Sequence, residues 1–271
     1  MDFRADLHTH STASDGTLSP GELVAAAREK GLGAVALTDH DTLAGIGEAV
    51  EAGRELSVTV IPGLELSTEA AAEEVHVLGY FLTPQAEELQ RRLAELRRQR
   101  LTRARRMLER LRALGLPLSW EAVAAEAGTG AVGRPHIARA LVAAGYVESV
   151  EEAFARYLDR GRPAYVPRAK LTPAGAIALV QRSGGVAVLA HPGLLSGAGL
   201  LEELLELNWQ GIEVFYPEHS KEVEERLYAL ARMHSLVPTG GSDFHGAGKA
   251  QLGACSVGGE VLAELRRRRR F

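Results

Sequence analysis

Phe3-Arg-Ala-Asp-Leu-His-Thr-His10, continuing into Ser11-Thr-Ala-Ser-Asp15-Gly16 and, after a helical stretch, Ala34-Val-Ala-Leu-Thr38, is the passage whose reading decides the fold. Residues 3–7 read as a short strand. Residues 19–31 read as a helix with Ser at its start and Gly at its end. Residues 34–38 form a buried strand that delivers Asp39-His40-Asp41 at its end, which completes a β-α-β unit. Residues two apart on a strand share a face, so His8 and His10 can offer two imidazoles to one metal ion.

The same pattern repeats outward from that unit. A second helix covers about 45–55, followed by extended segments at 58–61 and 63–67, where Glu65 sits among apolar residues. A strand at 75–81 carries His76 near its start. From Pro84 the period becomes helical, with Leu89, Leu93, Leu96, Ala104, Met107, Leu111 and Leu114 on one stripe. Further helices are predicted at 120–127, 135–144 and 150–158, so 84–165 reads as a strandless helical insertion between 1–83 and 166–271. The β/α alternation then resumes. Strands at 186–190, 211–216 and 237–239 lead into His191-Pro192, Tyr216-Pro-Glu and Gly240-Gly-Ser-Asp243-Phe-His245 respectively. Repeated βα units of this length predict an α/β fold with a parallel barrel rather than an open nucleotide-binding sheet. No G-x-G-x-x-G or Walker-type loop follows any predicted strand.

Composition narrows the class further. Hydrophobic residues at 46% with 24% charged residues suit a globular protein, and the longest apolar runs fall short of the roughly 18 residues that span a bilayer. Met1-Asp-Phe-Arg leads directly into the first strand and leaves no room for a signal peptide, and the lone Cys255 suits a reducing compartment. A cytoplasmic protein with no membrane contact and no obligate protein partner is the expectation. The net charge of −4 argues against general attraction to nucleic acid. Basic residues nevertheless concentrate in 91–112 and from Arg266 to Arg270, and either stretch could guide a nucleic-acid strand or be a solvated surface.

In a (β/α) barrel the strand ends open onto one face, where catalytic groups gather. His8, His10, His40, His191, Asp243 and His245 all fall at or just beyond a predicted strand end, with Asp15, Glu65 and His76 near them. Imidazole and carboxylate together suit manganese, zinc or iron, with manganese the first choice. Nine candidate ligands exceed one ion's needs and imply two or three, with Glu65 placed to bridge. Asp39 and Asp41 flank His40 and could fix its ring. Such ions can generate a hydroxide nucleophile from water, so no serine or cysteine nucleophile is required. Substrate oxygens still need cationic clamps, for which Arg134 and His136 of Gly133-Arg-Pro-His136, then Arg168, Lys170 and His219, are the candidates.

Asp6-Leu-His8-Thr-His10-Ser, Thr38-Asp-His40-Asp, Gly63-Leu-Glu65, His76, Ala190-His191-Pro and Gly241-Ser-Asp243-Phe-His245 resemble the motifs of the PHP (polymerase and histidinol phosphatase) superfamily, in order. The resemblance implies a trinuclear metallophosphoesterase on a distorted seven-stranded TIM-like (β/α) barrel. It implies His8, His10, Glu65 and Asp243 around one ion, Glu65, His76 and His191 around a second, and Asp15, His40 and His245 around the third. A helical insertion carrying Gly-Arg-Pro-His-Ile is similar to that of bacterial nucleoside 3′,5′-bisphosphate phosphatases, whose relatives degrade short RNA from the 5′ end. This implies a nucleotide or short 5′-phosphorylated RNA as substrate. Histidinol-phosphate phosphatase is the alternative enzyme, and a nucleic-acid-binding module with structural metals the alternative of another class. Metal-dependent amidohydrolases also place His-x-His after the first strand, but the Asp15 and His40 cluster is surplus to a two-metal site.

Overall fold

The computed structural model describes residues 3–128, 132–167, 171–246 and 250–269. The chain forms two compact units, Met1–Arg91 with Lys170–Phe271, and Arg92–Ala169.

Among the described residues, the first unit is built on eight strands. β1 (Arg4–Thr9) is followed by α1 (Pro20–Glu29), β2 (Ala34–Leu37) and α2 (Ile46–Leu56), then by β3 (Thr59–Ala70) and β4 (Glu73–Tyr80). α3 (Glu87–Ala113) starts in this unit and continues into the second. The second unit also holds α4 (Trp120–Ala127), α5 (Arg134–Ala143) and α6 (Val150–Ala153), which runs on as a π-turn to Leu158. The first unit resumes with α7 (Pro173–Arg182), β5 (Val186–Leu189), α8 (Leu200–Leu205), β6 (Gly211–Phe215), α9 (Lys221–Met233), β7 (Val237–Gly240), β8 (Val257–Gly258) and α10 (Gly259–Arg267). Helix starts follow their capping residues. Ser19 accepts from Glu22 N while Glu22 accepts from Ser19 N, and Thr172 and Ser220 cap α7 and α9 in the same N-terminal position.

The strands form one sheet in the order β7-β6-β5-β4-β3-β2-β1-β8. Beyond their last strand residues the two sides meet, because Thr9 bridges Phe244 and His10 N donates to Phe244 O at 2.9 Å, so the sheet curls into a barrel. Seven strands carry it, the number that the family resemblance implied. The eighth has two residues and pairs antiparallel with the start of β1. Ala5, Leu7, Ala36, Ile61, Leu78, Tyr80, Val186, Val188 and Val237 belong to one buried apolar cluster that fills the barrel.

One strand departs from the parallel expectation. The segments at 58–61 and 63–67 are one twelve-residue strand, and β4 returns antiparallel against it, then pairs antiparallel with β5. The turn is Ala71-Ala72, both at positive φ (44° and 70°). Two-residue hairpin loops of that shape are usually signalled by Asn-Gly or Gly, and two alanines give no such signal. The reversal has a consequence for chemistry: the beginning of β4, rather than its end, lies with the C-terminal ends of the parallel strands, so His76 reaches the same face.

A second irregularity sits in β1. Its register against β2 shifts by one residue between Asp6 (opposite Val35) and Thr9 (opposite Leu37). Strict alternation from Ala5 and Leu7, which point into the barrel, would send His8 outward. The extra residue turns His8 inward with His10. Asp6 holds this bulge in place. Buried and facing away from the interior, it accepts from Ser242 N and Oγ, Gly253 N and His8 N at 2.6–3.2 Å.

The second unit has its own apolar core, with Ala104, Met107, Leu111, Val123, Ile137, Leu141 and Leu158 buried. The stripe predicted along α3 is buried except for Leu114, which lies one residue past the helix and is 43% exposed. Among the described residues no helix is long and apolar enough to cross a membrane.

Candidate metal centre

The nine residues singled out by the sequence are held by six strands or the segments beside them. His8 and His10 come from β1, Asp15 from the turn after it, His40 from the segment after β2, and Glu65 from β3. His76 comes from β4, His191 from the residue pair after β5, and Asp243 and His245 from the segment after β7. Three of these segments are strained where they turn into the site: Asp41, His191 and Asp243 have φ of 52°, 27° and 50°. The turn that carries Asp15 is tied down by Asp39, which accepts from Ser11 N, Ser11 Oγ and Ser14 Oγ at 2.6–2.8 Å. Asp39 therefore orders the neighbouring loop rather than fixing the ring of His40, and Asp41 accepts from Ser67 N.

Glu65 lies at the middle of the cluster and is 1% exposed. Its Oε2 is 3.3 Å from His8 Nε2, 3.2 Å from His10 Nε2 and 3.1 Å from His40 Nδ1. Its Oε1 is 2.6 Å from His76 Nδ1 and 3.3 Å from His191 Nε2. Asp243 Oδ1 approaches His8 Nε2 (3.3 Å) and His10 Nε2 (3.1 Å). Asp15 is 3.4 Å from His245 Nε2 and 3.8 and 3.9 Å from His10 and His40. Three sets have donor atoms close enough to share an ion: His8, His10, Glu65 and Asp243; His10, Asp15, His40 and His245; and His40, Glu65 and His76. His10, His40 and Glu65 thus stand at junctions between sets, and His191 joins the third from the Glu65 Oε1 side.

These contacts are short, yet they do not satisfy the atoms that make them. Among the described residues, the buried side-chain atoms without a hydrogen-bond partner are His8 Nε2, both ring nitrogens of His10 and His76, His40 Nδ1, Asp15 Oδ1, Glu65 Oε2 and Asp243 Oδ1. Every one belongs to this cluster. Leaving one such atom unpaired in a protein interior costs about 1–3 kcal/mol, so a convergent set is hard to retain unless something completes it. Imidazole nitrogens and carboxylate oxygens aimed at common points fit divalent transition ions.

The electrostatics show how strained the protein-only arrangement is. Burial opposes a charge on His8, yet Glu213, Asp243 and Glu65 hold its pKa well above the ordinary histidine value. Against the same burial, Asp243 and Glu65 push His10 up to about 9, and Glu65 pushes His76 up to about 10. His40 goes the other way, down to about 3, because burial outweighs its carboxylate neighbours. Asp243 stays well below the usual carboxylate range despite burial, owing to His8 and His10.

Three supporting residues escaped the sequence reading. Glu213 on β6 is fully buried against His8 Nδ1 (3.1 Å) and His191 N (2.8 Å). A lone acidic residue in Gly-Ile-Glu-Val-Phe was the available signal, the same one that marked Glu65. Tyr216 donates its hydroxyl to Asp243 Oδ2 at 3.0 Å, which leaves Oδ1 for the cluster. Asp6 anchors the bulge described above.

The expected substrate clamps differ from the candidate metal ligands in what holds them. His219 is 8% exposed, and both of its ring nitrogens are engaged by backbone: Nδ1 donates to Val214 O (2.9 Å) and Nε2 accepts from Gly193 N (3.1 Å). It braces the turn after His191 instead of offering a free nitrogen to substrate. In the helical unit, Arg134 occupies the first turn of α5 with its guanidinium over the Phe154 ring. His136 is buried and its Nδ1 accepts from Gly133 N (2.8 Å), which caps the helix. Arg168 and Lys170 lie outside the described residues. Of the basic tail, Arg270 lies outside the described residues, and Arg266, Arg268 and Arg269 are held away from the histidines. Arg268 donates to Ser235 O just before β7, Arg269 to Gly184 O just before β5, and Arg266 and Arg269 stack on Phe81 just after the reversed β4. All three positions lie at the end where the parallel strands begin, opposite the histidines.

With this geometry in hand, the sequence comparisons are decisive about kinship: the PHP domain family matches residues 6–160. The chain belongs to the PHP family. A 5′-3′ exoribonuclease Rnm of Escherichia coli (strain K12) is 39% identical over 247 residues, covering 89% of this chain and 84% of the relative. A 3′,5′-nucleoside bisphosphate phosphatase of Chromobacterium violaceum is 34% identical over 250 residues, covering 90% and 88%. A crystal structure from Bifidobacterium adolescentis, provisionally named a metal-dependent phosphoesterase, superposes with a TM-score of 0.90 at 37% identity, covering 97% of this PHP chain and 96% of the other.

Proposed function

We propose that the chain is a metal-dependent phosphoesterase that acts on nucleotides, removing the 3′-phosphate of nucleoside 3′,5′-bisphosphates and shortening 5′-phosphorylated RNA. The observation that carries the reading is the set of unsatisfied, buried nitrogen and oxygen atoms converging at one end of the barrel. His8, His10, Glu65 and Asp243 would hold one ion, Glu65, His76 and His191 a second, and Asp15, His40 and His245 a third. Two or three divalent ions, with manganese favoured, suit this mixture of donors. When bound, such ions supply a nucleophile from water at neutral pH and neutralise phosphoryl oxygens.

The protein's own part is positioning. Glu65 turns one oxygen toward each side of the cluster and sets the spacing between the sets. Tyr216 restricts Asp243 to a single free oxygen. Asp39 and Asp6 lock the two loops that bring Asp15 and Asp243 to the face. Arg134, at the N-terminal turn of α5, is the proposed clamp for a phosphate, since helix N-termini and guanidinium forks both favour such anions. His136 supports that role by capping the same turn. The names of the relatives support a nucleotide or RNA as the phosphate carrier.

Phosphate release from adenosine 3′,5′-bisphosphate, histidinol phosphate and a short 5′-phosphorylated RNA, measured side by side with Mn²⁺-loaded protein, tests the substrate class. Preference for the bisphosphate or the RNA supports the reading. Preference for histidinol phosphate contradicts it, and oligonucleotide binding without turnover of any substrate would make the chain a binding module.

A further inference from the structure

We propose that Glu213 is a positioning residue that ties two of the ion positions together through a single carboxylate. The inference rests on the metal-binding reading given above. Glu213 is fully buried on β6 and points into the barrel beneath the histidines. Its Oε1 and Oε2 lie 3.1 and 3.3 Å from His8 Nδ1, and Oε2 also accepts the backbone N–H of His191 at 2.8 Å. These hydrogen bonds come from residues 205 and 22 positions away in the chain, on β1 and just after β5, and meet on one side chain.

A carboxylate can only accept, so the contact places a proton on His8 Nδ1 and leaves Nε2 for an ion. Nε2 is the His8 atom without a partner, 3.3 Å from both Glu65 Oε2 and Asp243 Oδ1. The second contact acts on backbone. His191 has φ of 27°, a conformation that needs support, and the bond from its N–H to Glu213 fixes the peptide that carries its ring to 3.3 Å from Glu65 Oε1. Glu213 therefore supports His8 in one set and His191 in another, while its hydrogen bonds leave Asp15, His40 and His245 to other supports. A buried carboxylate without such partners would be costly, and here both of its oxygens have a donor.

Glu213→Leu tests this, because it keeps the buried volume while removing every acceptor from His8 Nδ1 and His191 N. Zn²⁺ titration of the metal-stripped variant should show the ions at His8 and His191 bound about 10–100-fold more weakly, with the Asp15, His40 and His245 ion retained. Unchanged affinity for every ion, or equal loss of all of them, would overturn the proposal. A second measurement needs no variant: ring ¹⁵N spectra of the Zn²⁺-loaded wild-type protein should show His8 protonated at Nδ1 and metal-bound at Nε2. Metal on Nδ1 would overturn the proposal as well. A wild-type protein that takes up no Zn²⁺ or Mn²⁺ would instead overturn the metal reading on which it rests.

Discussion

Ion binding to this cluster should release protons, and the size of the effect follows from the site. In the metal-free protein His8, His10 (about 9) and His76 (about 10) keep their protons at neutral pH because Glu65, Asp243 and Glu213 surround them. A divalent ion needs those nitrogens deprotonated, so it competes with one proton per raised histidine. The ion held by His8, His10, Glu65 and Asp243 displaces two, and its affinity should rise about 100-fold from pH 6.5 to 7.5. The ion held by Glu65 and His76 displaces one from His76, for about tenfold over the same interval. The sign for folding runs parallel. Histidine pKa values raised above the unfolded value of about 6.5 stabilise the metal-free fold below that pH. This contribution is lost as pH rises through 9 to 10, where the metal-loaded protein should show no such loss. Calorimetric titration of Mn²⁺ into stripped protein at the two pH values, each in two buffers of different ionisation enthalpy, measures both affinity and protons released. An affinity independent of pH, with no dependence on buffer, would refute the reasoning, since the imidazoles would then be neutral before the ion arrives.

Other predictions concern single contacts. Gly241→Ala places a Cβ over His8 Cβ and within 2.5 Å of His8 N, so it should cost about 1–3 kcal/mol in thermal unfolding and weaken ion binding at His8. Asp39→Ala orphans Ser11 N, Ser11 Oγ and Ser14 Oγ, and a loss of about 3 kcal/mol with a mobile Asp15 loop is expected, seen as a lower Tm and faster amide exchange there. His219→Ala should lower Tm by several degrees while leaving KM for a nucleotide substrate within about twofold, because the ring braces Gly193 and Val214. Replacing Arg266 and Arg269 together by Ala should leave RNA turnover unchanged, since both stack on Phe81 at the far end of the barrel.

Most of the barrel was legible in the chain because its signals are local. Ser19 with Glu22 marks a helix start, and the run Ala34-Val-Ala-Leu marks a buried strand by composition alone. The convergence of the candidate ligand positions on one face was legible for a related reason, since histidines and carboxylates stand at the ends of apolar runs. What was not legible depends on pairing across distance. Nothing in Ala71-Ala72 announces a hairpin, and the one-residue shift at His8 exists only in relation to β2. Glu213 and Tyr216 acquire their roles from partners on β1, β5 and the segment after β7. His219 shows the same limit, because a loop position near the site says nothing about which backbone groups will claim its two nitrogens.

The most direct test of the central claim is phosphate release from adenosine 3′,5′-bisphosphate by three preparations: Mn²⁺-reconstituted protein, the same protein stripped by chelator, and Mn²⁺-reconstituted Glu65→Gln. Glu65 touches five of the six cluster histidines' reach and both sides of the site, through contacts to His8, His10, His40, His76 and His191. Turnover in the first preparation alone, restored to the second by added Mn²⁺, is the result predicted. Equal turnover in the stripped protein or in the Glu65 variant would contradict the account.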